Sequence, residues 1–243
     1  MPDTHTVQKV VAQVAARTTA EKERALALHD YVRERVKFGF SKYFDAGTPD
    51  DTLACGIGYC NTKSSLLVAM FRAAGLESFM HFVVIPKVIL KGAMPVMNYW
   101  MVPAEVSHAY VEVKVDGRWC AIESHIVDTP LLQAAQARLV AEGLALGYAG
   151  RCGATNVWDG CSDVFVQSDP ANLIEDHGRV EDLDEYFHSR RYRNQMFGVT
   201  FNTIFKLMGD AGVAPINAHI DKIRKAASSP SQTPAQVSSS GSE

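Results

Sequence analysis

Apolar residues recur at helical spacing over residues 7–16 and again from about 20 to 36, where Thr18, Thr19 and Ala20 precede the early acids Glu21 and Glu23. The second stripe places Ala25, Leu28, Tyr31, Val32 and Val36 along one side of its helix. Residues 41–53 are polar and carry glycine, proline and aspartate, so they read as a connection. The helical pattern returns over 64–74 and Gly75 is placed to cap it. Residues 79–85 form a continuous apolar run ended by Pro86, the mark of a buried strand. Residues 87–106 are rich in large apolar side chains without clear periodicity, which predicts either a lid or binding loop, or an added strand or hairpin packed into the core, and in either case an apolar wall ending just before His108. A helix is expected from Thr129-Pro130 to about Glu142, ended by Gly143. Residues 147–168 read as loop, 169–185 as an acidic solvated surface, and 199–208 and 214–227 as two terminal helices. From 228 to 243 serine, proline, glutamine and glycine dominate, and that tail is expected to be disordered.

The stretch 107–125 carries more information. Two runs of strand formers flank Asp116-Gly117, the pair that favours a two-residue hairpin turn. That turn sets Val115 opposite Arg118, Tyr110 opposite Glu123 and His108 opposite His125. Alternation then places His108, Tyr110, Glu123 and His125 on one face and Val111, Val113, Cys120 and Ile122 on the other. Glu123 becomes the diagonal neighbour of His108, within reach of a long side chain. Hairpin geometry alone predicts a histidine–carboxylate pair.

Its partner is Cys60. Gly56 and Gly58 deliver this cysteine to the first turn of the predicted helix, where the helix dipole favours a thiolate, the nucleophilic form of a thiol. A thiol nucleophile needs a base and the base needs an orienting group. Gly58-Tyr59-Cys60, the strand from His108 through Val113, and Gly117-Arg118-Trp119 followed by Glu123 together resemble the transglutaminase-like superfamily of papain-like thiol enzymes. The resemblance covers roughly residues 20–128. It implies an α+β fold in which the nucleophile helix packs on an antiparallel sheet, with Cys60 as nucleophile, His108 as base and Glu123 as the third member. The family usually has aspartate at that third position. Asp128 is the alternative acid.

Composition narrows the class. The formal net charge of −3 gives no electrostatic case for nucleic acid or an anionic membrane. The N-terminus lacks the pattern of a secretion signal and no stretch has the ~20 apolar residues of a membrane span, so a cytoplasmic location is expected. The five cysteines are an odd number with no Cys-x-x-Cys pair, which indicates neither a disulfide framework nor a zinc site. No cofactor or metal is expected. The organisation expected is one domain over 1–227, with its core at about 20–128 and a helical and loop extension over 129–227.

These readings converge on a thiol-dependent enzyme that transfers or hydrolyses the acyl group of an amide or thioester on a small molecule or peptide. The glutamate at 123 and the apolar segment 87–106 also admit cyclisation, isomerisation or elimination on a small intermediate by the same triad. A non-catalytic binding module is the third class. Tyr59, Met97, Trp100, Tyr110, His125 and Trp158 are the expected substrate contacts. The backbone N–H of Cys60 is a candidate oxyanion donor. The basic cluster from His188 to Arg193 is either a solvated face or a grip on an anionic substrate group.

Overall fold

A computed structural model describes residues 6–226, so the tail from 228 to 243 lies outside the described residues. The chain begins with α1 (Val7–Ala15), α2 (Glu21–Arg35), β1 (Lys37–Phe38), α3 (Pro49–Cys55), β2 (Ile57–Gly58) and α4 (Cys60–Ala73). It continues through β3 (Ser78–Pro86), α5 (Val96–Met101), β4 (Glu105–Val115), β5 (Arg118–Ile122) and α6 (Thr129–Glu142). The last third holds β6 (Leu146–Gly147), β7 (Gly150–Arg151), β8 (Glu175–Val180), α7 (Leu183–His188), β9 (Gln195–Met196), β10 (Val199–Thr200) and α8 (Phe201–Ala226).

The main sheet has the order β5-β4-β3-β8 and every pairing in it is antiparallel. The hairpin turns at Asp116-Gly117, both at positive φ, and pairs Val115 with Arg118 and Val111 with Ile122. Alternation along these strands divides the interior in two. Met80, Phe82, Ala109, Val111, Val113, Cys120 and Ile122 face a core built with Leu66, Leu67, Met70 and Phe71 of α4 and Leu28 and Val32 of α2. Val83, Ile85, Val106 and Tyr110 face a second core that includes Leu131 and Ala135 of α6 and Ile216 and Ile220 of α8. The body of α4 belongs to the first core. Tyr59 and Cys60 at its start belong to the second, so the helix opens its N-terminus into the compartment on the far side of the sheet.

Several expectations are corrected. Residues 41–53 contain a 3-10 turn (Phe44–Ala46) and most of α3, whose start is a capping box between Thr48 and Asp51 with Pro49 next to it. At seven residues this helix is too short to show an apolar stripe. The N-cap position of α2 is Ala20, which has no side-chain cap bond, and neither threonine occupies it. Segment 87–106 is neither loop nor hairpin but a 3-10 turn (Lys87–Leu90) followed by α5. Residues 147–168 hold parts of the short β6 and β7 pair. The acidic surface 169–185 contains β8, an edge strand paired with β3; one solvent-facing edge lets its sequence stay polar. The two terminal helices run on from Phe201 through a break at Gly209, where φ is 61°. No described helix is long and apolar enough to cross a membrane.

Candidate active site

The nucleophile helix is positioned by two glycines with different reasons. Gly56 ends α3 in the left-handed region, φ 63°, a conformation glycine adopts without strain. Gly58 is required by space: an added Cβ would lie 2.9 Å from both Lys63 Cγ and Thr62 Oγ1. The backbone N–H of Tyr59 donates to Thr62 Oγ1 at 3.1 Å, which fixes the entry into α4. Cys60 is therefore the first residue of the helix, nearly buried, and its own N–H has no acceptor within the helix.

His108 lies on β4, 1% exposed, and its Nε2 is 2.7 Å from Glu123 Oε1. That bond leaves Nδ1 as the nitrogen available to Cys60. Burial lowers the pKa of His108, but the opposing charges of Cys60 and Glu123, and hydrogen bonds to both, outweigh it and push the imidazole up to about 10. The ring thus favours its protonated form, held between the Cys60 sulfur and a carboxylate.

Glu123 sits just past the end of β5, fully buried. Its Oε2 accepts three backbone N–H bonds, from Val166 at 3.0 Å, Gln167 at 2.8 Å and Ser168 at 2.9 Å, and Ser168 Oγ donates to Oε1. Val164 pairs in parallel with Ile122 and brings this segment alongside. Burial raises the pKa of Glu123, but the His108 charge and hydrogen bond and the bonds from Ser168 overcome it, so the group lies below its ordinary value and stays ionised. The longer acid reaches both the imidazole and this backbone cradle.

A second polar cluster, not anticipated from sequence, ties the two halves of the site together. Buried Asp45 accepts from the hydroxyls of Tyr59 and Tyr192 and, at 3.3 Å, from Asn194 Nδ2. Burial raises its pKa and the bonds from Tyr192, Tyr59, Asn61 and Asn194 oppose the rise. Asn194 also holds the backbone of Ser107, accepting from its N–H at 3.0 Å and donating to its C=O at 3.1 Å. Asp45 and Asn194 thus bridge the residue before Cys60 and the residue before His108. Asn61 Oδ1 accepts from Cys60 Sγ at 3.4 Å and Asn61 Nδ2 donates to the Tyr59 hydroxyl at 3.4 Å.

Cys60 and His108 open on a cleft of about 880 Å³, part of it in contact with solvent. Phe38, Phe40 and Phe44 line it, with Ile85, Ile89, Leu90, Met94, Met101, Val102 and Val106 from the strand end and α5 region. Met196, Phe201, Ile204, Phe205, Met208 and Ile216 complete the wall. No Asp, Glu, Lys or Arg is among the lining residues.

Of the six expected substrate contacts only Tyr59 lines this cleft. Met97 and Trp100 are 74% and 73% exposed. The segment is helical, so they share the outer face of α5 while Asn98 and Met101 turn to the cleft. Tyr110 lies behind the wall, stacked on His81 with ring centroids 4.5 Å apart. Trp158 is buried in the helical core, 6.5 Å from Phe71 between ring centroids, with its N–H donated to Ser162 O. His125 does not share the face of His108. Strand pairing stops at Ile122 and a turn from Glu123 to Ile126 carries His125 to α4, where Nε2 is 3.0 Å from Ser64 Oγ. Asp128 caps α6, accepts from Phe38 N–H at 2.9 Å, and makes a two-point ion pair with Arg224 at 2.7 and 2.9 Å. Of the basic cluster, Tyr192 is buried on Asp45 and Arg193 pairs with Glu175 at 2.5 Å.

Residues 8–124 match the family Transglut_core, described as the transglutaminase-like superfamily. The chain carries a transglutaminase-like core. A solved structure of a proposed cysteine protease from Cytophaga hutchinsonii is similar, with 17% identity, 47% of this chain and 35% of that chain covered, and a TM-score of 0.36. No curated protein matches. The transglutaminase-like core takes in Cys60, His108 and Glu123. It stops short of the cradle at 166–168 and of the α8 wall.

Proposed function

We propose that this protein is a cysteine-dependent acyl-transfer or hydrolytic enzyme acting on an amide or thioester of a small molecule or peptide. The observation that carries the reading is the line from Cys60 through His108 to the buried Glu123, placed at the wall of a deep cleft. Cys60 Sγ attacks the acyl carbon and forms the C–S bond. The bond to the leaving sulfur or nitrogen breaks, and His108 gives that atom its proton from Nδ1. Water or an amine then attacks, returns a proton to Nδ1 and releases Cys60. Glu123 holds the imidazole in one orientation and supports its charged form throughout. The N–H of Cys60, without a hydrogen-bond partner among the described residues, is one donor for the oxyanion.

Intact-mass analysis after incubation with acyl thioesters should show an adduct that peptide mapping places on Cys60, and Cys60→Ala should lack it. The apolar, uncharged cleft also supports a second reading, in which the triad cyclises, isomerises or eliminates on a small intermediate. That route requires no acyl adduct, so turnover of a substrate without mass gain on Cys60 would favour it.

A further inference from the structure

The walls of the cleft carry a statement about what Cys60 accepts. Its lining holds no ionisable acid or base other than Tyr59, Cys60 and His108. Most of the polar side chains it presents are already bonded within the protein: Tyr59 OH to Asp45, Ser107 Oγ to the Arg193 N–H, Asn194 to Ser107, and Gln167 Nε2 to Ala149 O at 2.9 Å, which leaves the neutral Asn98 amide on α5 as the polar side chain without a bonded partner among the described residues. A charged group entering here would lose its hydration and meet no oppositely charged side chain on the wall, with only the neutral Asn98 amide left to bond it. Aromatic rings make much of the wall, with Phe44 and Phe205 centroids 4.6 Å apart and Phe44 4.7 Å from Tyr59, the residue before the nucleophile. Met196, Phe201, Phe205 and Ile216 come from residues beyond the 8–124 match, so this lining is an addition to the transglutaminase-like core.

From the cleft's lining and position we infer that the acyl group taken up by Cys60 is an uncharged apolar chain or ring system. The inference rests on the acyl-enzyme reading above and narrows it. Neutral hydrocarbon fills the space between the aromatic wall and α5, while the carbonyl carbon stays beside Cys60 and His108. Each methylene withdrawn from water into such a site adds about fourfold, or about 0.8 kcal/mol. Short or charged acyl groups forgo that gain.

The test uses the full chain and N-acetylcysteamine thioesters of acetyl, hexanoyl, decanoyl and ω-carboxydecanoyl groups, following acylation of Cys60 by intact mass. The second-order rate should climb about fourfold per methylene until the cleft is full, and the ω-carboxylate should be at least roughly tenfold slower than decanoyl. Met196→Glu should lower the decanoyl-to-acetyl ratio. Acylation that is flat with length, or fastest with the acetyl or ω-carboxy thioester, overturns the apolar substrate and leaves the acyl-enzyme reading standing. Absence of an adduct with every thioester overturns both. Binding of neutral amides to Cys60→Ala reads the cleft without the chemistry. Hexanamide should bind on the order of 10²-fold tighter than acetamide, and equal affinities would overturn the inference.

Discussion

Two buried histidines, His108 and His125, lie on either side of one sheet, and burial has opposite outcomes for them. Both are almost wholly removed from solvent. His108 meets a carboxylate and a thiol, and its pKa rises to about 10 against the pull of burial. His125 meets the Ser64 hydroxyl and the edge of the His29 ring, its Nδ1 has no hydrogen-bond partner among the described residues, and burial drives its pKa well below 6.5, helped by the charges of His29, Lys63 and His108. Burial without an anionic partner therefore favours the neutral imidazole in this protein. What sets His108 apart is its pair of anionic neighbours, Cys60 first and then Glu123, the latter bonded to the backbone of 166–168.

The largest test of that contrast is Glu123→Gln, which keeps the shape and removes the charge. It should cut kcat by roughly 10²–10⁴-fold and lower the pKa of His108, readable by NMR titration of the ring. Unchanged turnover would mean that His108 is charged by something else. Asp128→Asn separates a catalytic acid from a structural one. It removes the charge that the buried Arg224 guanidinium depends on, so it should cost about 3–5 kcal/mol in denaturant unfolding while folded enzyme keeps its kcat within a few-fold. Loss of kcat with intact stability would move the third member of the triad to Asp128.

Lys63 extends the contrast to a cation with no carboxylate bonded to it. It is fully buried on the carbonyls of Val36, at 2.5 Å, and Arg33, at 3.4 Å, and burial lowers its pKa to about 7, against the attraction of Asp128 and Glu34. The unfolded chain binds this proton up to the ordinary value of 10.5 and the folded chain releases it near 7, so higher pH favours the fold across that window. Relative to Lys63→Met, wild type should gain up to about 1.4 kcal/mol per pH unit as pH climbs from about 7 toward 10.5. A pH-independent difference would show that Lys63 keeps its proton.

The smallest effect is expected for His125→Gln. Because the folded pKa is depressed, the stability that neutral His125 contributes is present above pH 6.5 and lost as pH falls below it. His108 has the opposite sign: its contribution is complete below 6.5 and lost as pH rises through about 10. His125→Gln should therefore blunt the acid loss of stability and leave kcat within a few-fold. His29, whose pKa burial also lowers, should account for part of the acid loss that remains.

Local signals carried much of this molecule. Asp116-Gly117 determined the register of β4 and β5, and that register brought Glu123 to His108 although the ladder itself stops one pair earlier, at Ile122. Gly56, Gly58 and the apolar run after Ser64 placed Cys60 at the start of α4. The expected apolar wall from 87–106 is present, yet Met97 and Trp100 face solvent because the segment coils into a helix instead of extending. His125 left the expected face for a similar reason: alternation holds only while a strand continues, and this one ends at Ile122.

The sequence by itself determined the approach of His108 and Glu123, the antiparallel hairpin and the helices whose apolar stripes or capping signals are strong. Only the tertiary structure decided which elements meet across long separations. Asp45 reaches Tyr192 and Asn194, Glu123 reaches the backbone of 166–168, and Phe44 reaches Phe205. Those contacts use backbone amides and common side chains drawn from segments that look like loop or surface in isolation. Their meaning comes from desolvation and proximity, which exist only once the two cores close around the sheet.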